Sequence, residues 1–267
     1  MEAVSTLKGI AFMELTLTTY LICCPLLFIA GFVDSIGGGG GLISLPAYLL
    51  AGLPAHMAIA TNKLSSTCGT TVATVRFIKQ GLINWKIAVP SIVAAIIGSS
   101  MGARLSLHIP EKVLVTVLMF VLPVTAFIVI NKNLFKDNGD TEAVPDRRTY
   151  ITAVAAALII GFYDGLYGPG TGTFLIIAFT VFAKLGVKSA NGQTKAINLT
   201  TNITSLIIFI MSGNTLFALG IPCALCNMLG NYIGAGLMMK NGIRLVRPSI
   251  MIVLMLLAVK IGVEYIV

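Results

Sequence analysis

The sequence predicts an all-α, polytopic membrane protein built from two homologous helical repeats, with helices broken at two glycine-rich segments, and it does so on three grounds. Apolar residues make up 57% of the 267-residue chain and charged residues only 10%, with a mean hydropathy of +0.95; water-soluble domains do not carry such a balance. Apolar runs at 15–33, 87–101, 113–130, 150–162, 216–239 and 250–267 approach or reach the roughly 20 residues a spanning helix needs. They are too long and too continuous for transmembrane strands, which run about ten residues with alternating polarity. Third, the chain repeats itself.

Gly31-Phe32-Val33-Asp34 recurs as Gly161-Phe162-Tyr163-Asp164, an offset of 130, and each copy runs into a glycine-rich stretch, 37–41 or 168–172. Further on the offset becomes 132. Asn62-Lys63 meets Thr194-Lys195, Gly81 meets Gly213, Pro90 meets Pro222, Gly98 meets Gly230 and Gly102 meets Gly234. The domain boundaries follow: a first transmembrane repeat over 1–131, a linker loop over 132–149 and a second repeat over 150–267. The linker carries Asp137, Asp140, Glu142, Pro145 and Asp146 among basic residues, without apolar periodicity.

Each half begins with an apolar helix. The first is read as a retained span rather than a signal peptide, because its flank carries only Lys8 and no small-residue cleavage pattern follows. After the glycine break comes a short apolar stretch, 42–51 or 173–183, ended by Pro54 or by Lys184 and Lys188. About ten helical residues cover about 15 Å, half a hydrocarbon core. A helix with a polar start follows (58–78; 193–211), then one after Asn84 or Asn214, then a last apolar run. Counting the short stretch as a crossing gives five elements per half and inverted repeats; counting it as a re-entrant hairpin gives four and parallel ones.

Basic loops discriminate, since they collect on the cytoplasmic side. With inverted repeats, Arg76, Lys79, Lys86, Lys132, Lys136, Arg147, Arg148, Lys184, Lys188, Lys240, Arg244 and Arg247 share one face, against Lys8, Arg104, Lys112 and Lys260. Parallel repeats split the same residues nine to seven. The inverted arrangement is therefore preferred, with Arg104 and Lys112 as its misfits.

Lys63 and Lys195 carry the most chemical information. Each follows a break and opens a long apolar helix, where an unpaired charge costs several kcal/mol. Snorkelling to a membrane surface is the bland alternative. Against it, the neighbours are hydroxyls and amides: Thr61, Asn62, Ser66 and Thr67 in one half, Gln193, Thr194, Asn198 and Asn202 in the other. Such a face inside an apolar protein lines water or a ligand, although hydroxyls also glue helices together. The glycine runs, with Gly38 and Gly40 in one and Gly168 and Gly170 in the other, would each open a half-helix whose N-terminus offers free donors and partial positive charge. Two such termini and two lysines suit an anion, as in inverted-repeat transporters. Asp34 and Asp164, each just ahead of its break, are coupling-ion candidates, partners for the lysines, or caps.

Other residues read more plainly. Neither glycine run is a nucleotide loop, because no Gly-Lys-Ser/Thr follows, and the absence of a Walker motif leaves ATP out as the driver within this chain. Cys23, Cys24, Cys68, Cys223 and Cys226 all fall in apolar segments and read as small packing residues, including the Cys-x-x-Cys pair. His56 and His108 are placed in short loops at the surface; Trp85, Tyr48 and Tyr232 are interfacial anchors or packing. No metal, cofactor or catalytic group is expected, and nothing in the pattern supports an enzyme. The expected partners are a small anionic substrate and membrane lipid, with no nucleic acid despite the net charge of +8, and a homodimer is the candidate assembly.

The paired Gly-Phe-x-Asp and glycine segments, with Ala60-Thr61-Asn62-Lys63 and Gln193-Thr194-Lys195 downstream, resemble the sulfite exporter TauE/SafE family, also called toluene-sulfonate uptake permeases. The likeness covers nearly the whole chain outside the linker, while Tyr167 and Pro169 replace glycines in the second run. The resemblance implies a multi-pass permease of a prokaryotic plasma membrane for sulfur-containing anions such as sulfite, sulfonates and sulfoacetate. The expected function is secondary transport by alternating access, with a passive anion channel as the alternative.

Overall fold

The structure, a computed structural model, describes residues 15–114, 116, 117 and 146–241. Most of the linker, most of the run at 113–130 and all of the run at 250–267 lie outside the described residues, as do Lys8, Lys132, Lys136, Arg244, Arg247 and Lys260. Within them the chain is helical and contains no strand. The first half comprises α1 (Leu17–Gly37), α2 (Gly41–Leu50), α3 (Ala55–Lys79) and α4 (Trp85–Ser106). The second comprises α5 (Arg147–Leu166), α6 (Thr171–Ile177, continued as a π-helical turn over Ala178–Phe182), α7 (Val187–Met211) and α8 (Phe217–Asn241).

Five of these, α1, α4, α5, α7 and α8, are long and apolar enough to cross a membrane. Helix α3 is as long but polar, because it carries Lys63 and a run of hydroxyls. Side-chain placement is the reverse of a soluble bundle. Val89, Val93, Ile97 and Met101 of α4 and Ile221, Leu225, Leu229 and Ile233 of α8 face outward, while Lys63, Lys195, Asn191, Gln193 and Asn231 are buried. Such a surface is stable against hydrocarbon, and a buried lysine is stable only when paired.

The helices pack across the halves. Helix α4 runs along α5, α8 runs along α1, and α3 crosses α7, with α4 also touching α7 and α8 touching α3. Each contact has a counterpart in which the halves are exchanged. The landmark glycines explain how the closest of these form. In α4 a Cβ on Gly98 would collide with the Leu158 carbonyl and one on Gly102 with the Phe162 carbonyl; in α8, Gly230 and Gly234 stand likewise against Phe28 and Phe32. Both are Gly-x-x-x-Gly faces, which bring helix backbones together where no hydrophobic drive operates.

Helix boundaries differ from the pattern-based ones in three places. Helix α1 continues through Asp34 to Gly37, since the break falls only where Gly38 turns left-handed at φ 75°. Helix α5 begins at Arg147, inside the expected linker, because the Asp146 carboxylate accepts from the Thr149 amide at 2.7 Å and caps it. Those hydrogen bonds from Thr149 hold the Asp146 carboxyl below the usual carboxylate range. Helix α7 starts at Val187, earlier than the polar onset at 193 suggested, because Asn191 and Gln193 face the protein interior rather than a loop.

Candidate functional site

Two ion pairs join the halves in the core. Lys63 Nζ on α3 lies 2.8 Å from Asp164 Oδ2 at the end of α5, and Lys195 Nζ on α7 lies 2.9 Å from Asp34 Oδ2 near the end of α1. The first-half lysine takes the second-half aspartate and the reverse. All four side chains are nearly or wholly buried, Asp34 being the most exposed at 14%. At that depth an unpaired charge is costly, so each pair supports the fold as well as the site. Lys63 also donates to Asn202 Oδ1 at 3.1 Å, and Lys195 donates to the main-chain carbonyl of Asp34.

The glycine runs position these pairs. Gly38 and Gly168 both have positive φ, 75° and 101°, and occupy matching places in the repeats. The runs meet each other: Gly38 lies against the Gly172 backbone so closely that neither position has room for a Cβ, and the Thr173 hydroxyl donates to the Gly37 carbonyl at 2.9 Å. The second run is propped where it lacks glycine. Tyr163 donates its hydroxyl to the Pro169 carbonyl at 2.7 Å and its ring meets Phe174 edge-on, while Tyr167 is buried. Thr171, opening α6, has its hydroxyl 2.7 Å from both Asp164 Oδ1 and the Gly168 carbonyl, so one proton serves two acceptors and ties the carboxylate that faces Lys63 to the glycine run.

Between the runs and the crossing of α3 with α7 lies a small polar cavity of about 20 Å³, room for one or two waters. From α3 come Asn62, Lys63, Ser66 and Thr70, and from α7 come Asn198 and Asn202. Positions 62, 66 and 70 form an i, i+4, i+8 stripe. Ser66 and Thr70 match Asn198 and Asn202 at the 132 offset, so one face of each helix supplies the wall. Asp34, Gly38, Gly41, Asp164, Gly168, Thr171 and Gly172 close the rest. Among the described residues no aromatic or aliphatic side chain lines it.

Several expected residues lie elsewhere. The Thr61 hydroxyl accepts from the Leu216 amide at 3.1 Å, just ahead of α8, and the Gln193 amide donates to the Asn84 carbonyl at 3.1 Å. Thr67 donates to the Lys63 carbonyl at 2.7 Å along its own helix. Thr194 is fully buried, and its hydroxyl has no hydrogen-bond partner among the described residues. Gly40 and Gly170 sit at the starts of α2 and α6 without lining the cavity. Lys195 also stands off the wall, behind Asp34. Conversely Gly41, Thr70, Thr171 and Gly172 join the site; the helical stripe beginning at Asn62 would have pointed to Thr70.

The histidines and aromatics sort as follows. His56 is in the first turn of α3 and half-buried, its ring 3.1 Å from the Ser106 carbonyl, rather than in a surface loop. His108 is in an exposed turn. Tyr48 is packing, wholly buried with its hydroxyl 3.0 Å from Ser65 Oγ; Trp85 is half exposed at the start of α4, and Tyr232 stacks under Arg76 at 4.2 Å.

A bundle with an apolar exterior and a charged, polar cavity between its halves has the build of a polytopic membrane transport protein. Its relatives say the same. It is 34% identical over 234 residues to the probable membrane transporter protein ORF9 of Sinorhizobium sp., covering 88% of each chain. It is 32% identical over 238 residues to the probable membrane transporter protein YfcA of Escherichia coli strain K12, covering 87% of this chain and 86% of that one. A probable membrane transporter protein of Haemophilus influenzae is 30% identical over 234 residues, 87% and 90% of the two chains. The family model described as sulfite exporter TauE/SafE matches residues 23–261, and the chain belongs to that family. No solved structure gives a significant match. The chain is accordingly a membrane transporter and not an enzyme.

Proposed function

We propose that the chain is a secondary transporter of small sulfur-containing anions, of the sulfite and short-sulfonate kind, in a prokaryotic plasma membrane. Two inverted repeats, with discontinuous helices at the glycine runs, rock about the cavity and open it alternately to either side. One observation carries the reading: each half's lysine is neutralised by the other half's aspartate, and Lys63, Asp164 and Asp34 line a mostly polar cavity between the halves. A ligand that competes for a lysine loosens the tie between halves, which couples binding to relative movement. The cavity as it stands holds about a water or two, so the anion enters by expanding it, and transport alternates between closed and open forms.

Supporting the inverted arrangement are the interchanged helix contacts, the duplicated Gly-x-x-x-Gly faces and the uneven basic loops. The lining favours a compact hydrophilic anion. Asn62, Ser66, Asn198, Asn202 and Lys63 offer donors, and among the described residues no aromatic or aliphatic side chain lines the cavity to hold an aryl group. Of the two aspartates, Asp164 is the candidate coupling group, because it loses its cation when Lys63 turns to the anion.

Uptake of labelled sulfite into proteoliposomes tests this. The expected result is saturable uptake with counterflow, strongly reduced in Lys63→Ala. Flux rising linearly with concentration and without counterflow would instead mean a passive anion channel, and undiminished saturable uptake in Lys63→Ala would discard the site.

A further inference from the structure

The repeat makes the two lysine–aspartate pairs equivalent in sequence, yet their surroundings differ. Lys195 is 0% exposed, stands off the cavity and binds both the Asp34 carboxylate and the Asp34 carbonyl. That carbonyl also accepts the Gly38 amide at 2.8 Å, so Lys195 sits on the C-terminal end of α1, where a cation is held by the helix end as well as by its carboxylate. Lys63 has no such anchor. It is the one cation on the cavity wall among the described residues, and its partners are the Asp164 carboxylate and the neutral Asn202 amide oxygen. When Lys63 leaves it, Asp164 has a second hold in reach, the Thr171 hydroxyl at 2.7 Å, whose single proton it shares with the equally close Gly168 carbonyl and draws more strongly as a charged acceptor.

Resting on the reading of the cavity as an anion site, we propose that the two pairs have divided roles: Asp164 is an internal stand-in for the transported anion on Lys63, displaced by it, while Lys195 stays on Asp34 as a permanent tie. An entering oxyanion takes the Lys63 ammonium, Asp164 remains on Thr171, and one of the two links between the halves opens only when cargo is bound. Lys195 holds α7 to the end of α1 throughout. The stand-in lowers apparent affinity, because the anion binds only the fraction of molecules in which Lys63 is released. If that fraction is about 1–10%, removing the competitor tightens binding about ten- to a hundredfold.

Sulfite binding to the detergent-purified full chain, read by calorimetry, tests the assignment. Asp164→Asn is expected to lower the Kd about tenfold or more, Asp164→Glu to return it toward wild type, and Asp34→Asn to give no tightening. Equal tightening by Asp164→Asn and Asp34→Asn overturns the division of roles, and no tightening by Asp164→Asn overturns the stand-in. If wild type binds neither sulfite nor methanesulfonate nor sulfoacetate, the anion-site reading itself fails and takes the proposal with it; wild-type binding without the variant effect sinks the proposal alone. Should Asp164→Asn not fold, infrared difference spectra of wild type labelled with 13C-aspartate decide: sulfite must shift one of the two buried carboxylate bands, and two unshifted bands overturn the proposal.

Discussion

Neutralising one member of the Lys195–Asp34 pair should destabilise the protein far more than neutralising both. The lysine side chain is 0% exposed and its partner 14%, at 2.9 Å, so a survivor left alone is a buried charge, which costs about 3–5 kcal/mol. Asp34→Asn belongs at the lower end, about 3 kcal/mol, because Lys195 keeps the Asp34 carbonyl and gains an amide oxygen. Lys195→Met belongs at the upper end, since it also strips that carbonyl of its cation. The double variant leaves no unpaired charge and should lose only about 1–3 kcal/mol against the roughly 8 kcal/mol to which the single losses sum, a coupling of about 5 kcal/mol or more. The assay is equilibrium unfolding in mixed micelles followed by the fluorescence of Trp85, the single tryptophan, half exposed at the start of α4. If the two single losses add to the double within about 0.5 kcal/mol, the side chains do not interact and the cross-tied core is wrong.

Gly98→Leu and Gly230→Leu should each abolish or strongly reduce folded protein in size-exclusion profiles, because their Cβ atoms meet the Leu158 and Phe28 carbonyls in duplicated helix contacts. Lys63→Ala should lower kcat/KM for sulfite uptake about 10- to 150-fold, the loss of one charge-assisted hydrogen bond of about 1.5–3 kcal/mol. Thr61→Val should cost about 1 kcal/mol in the same unfolding assay, through the bond it gives the Leu216 amide ahead of α8. Asp146→Ala should lower the melting temperature near neutral pH. The folded carboxyl is held below its unfolded value, so its stabilisation is present above a pH of about 3.9 and fades as pH falls through the lower folded value; melts of wild type and variant should converge in acid.

Composition and the length of apolar runs were enough to determine a helical membrane protein, because hydrocarbon admits few ways of satisfying a backbone. The duplicated landmarks were legible too, and they carried physical content not visible in one dimension. Gly98 with Gly102, and Gly230 with Gly234, are spaced for close helix contact, but that their partners are α5 and α1 of the opposite half is a matter of tertiary packing. Lys63, Lys195, Asp34 and Asp164 stood out for the cost of burying charge. Their crossed pairing did not, since partner choice depends on which helix ends converge, and 101 residues separate Lys63 from Asp164 and 161 separate Lys195 from Asp34. Thr61, Gln193 and Thr194 looked like site residues because polarity marks burial among partners without saying which partners. The folded chain spends Thr61 and Gln193 on the backbone near neighbouring helix starts and leaves the cavity to the stripe of Asn62, Ser66 and Thr70 facing Asn198 and Asn202. Sequence symmetry made the two lysines equal; only their packing, one on a helix end and one on a cavity wall, made them different, because the same ammonium group answers to whatever oxygens lie within about 3 Å of it.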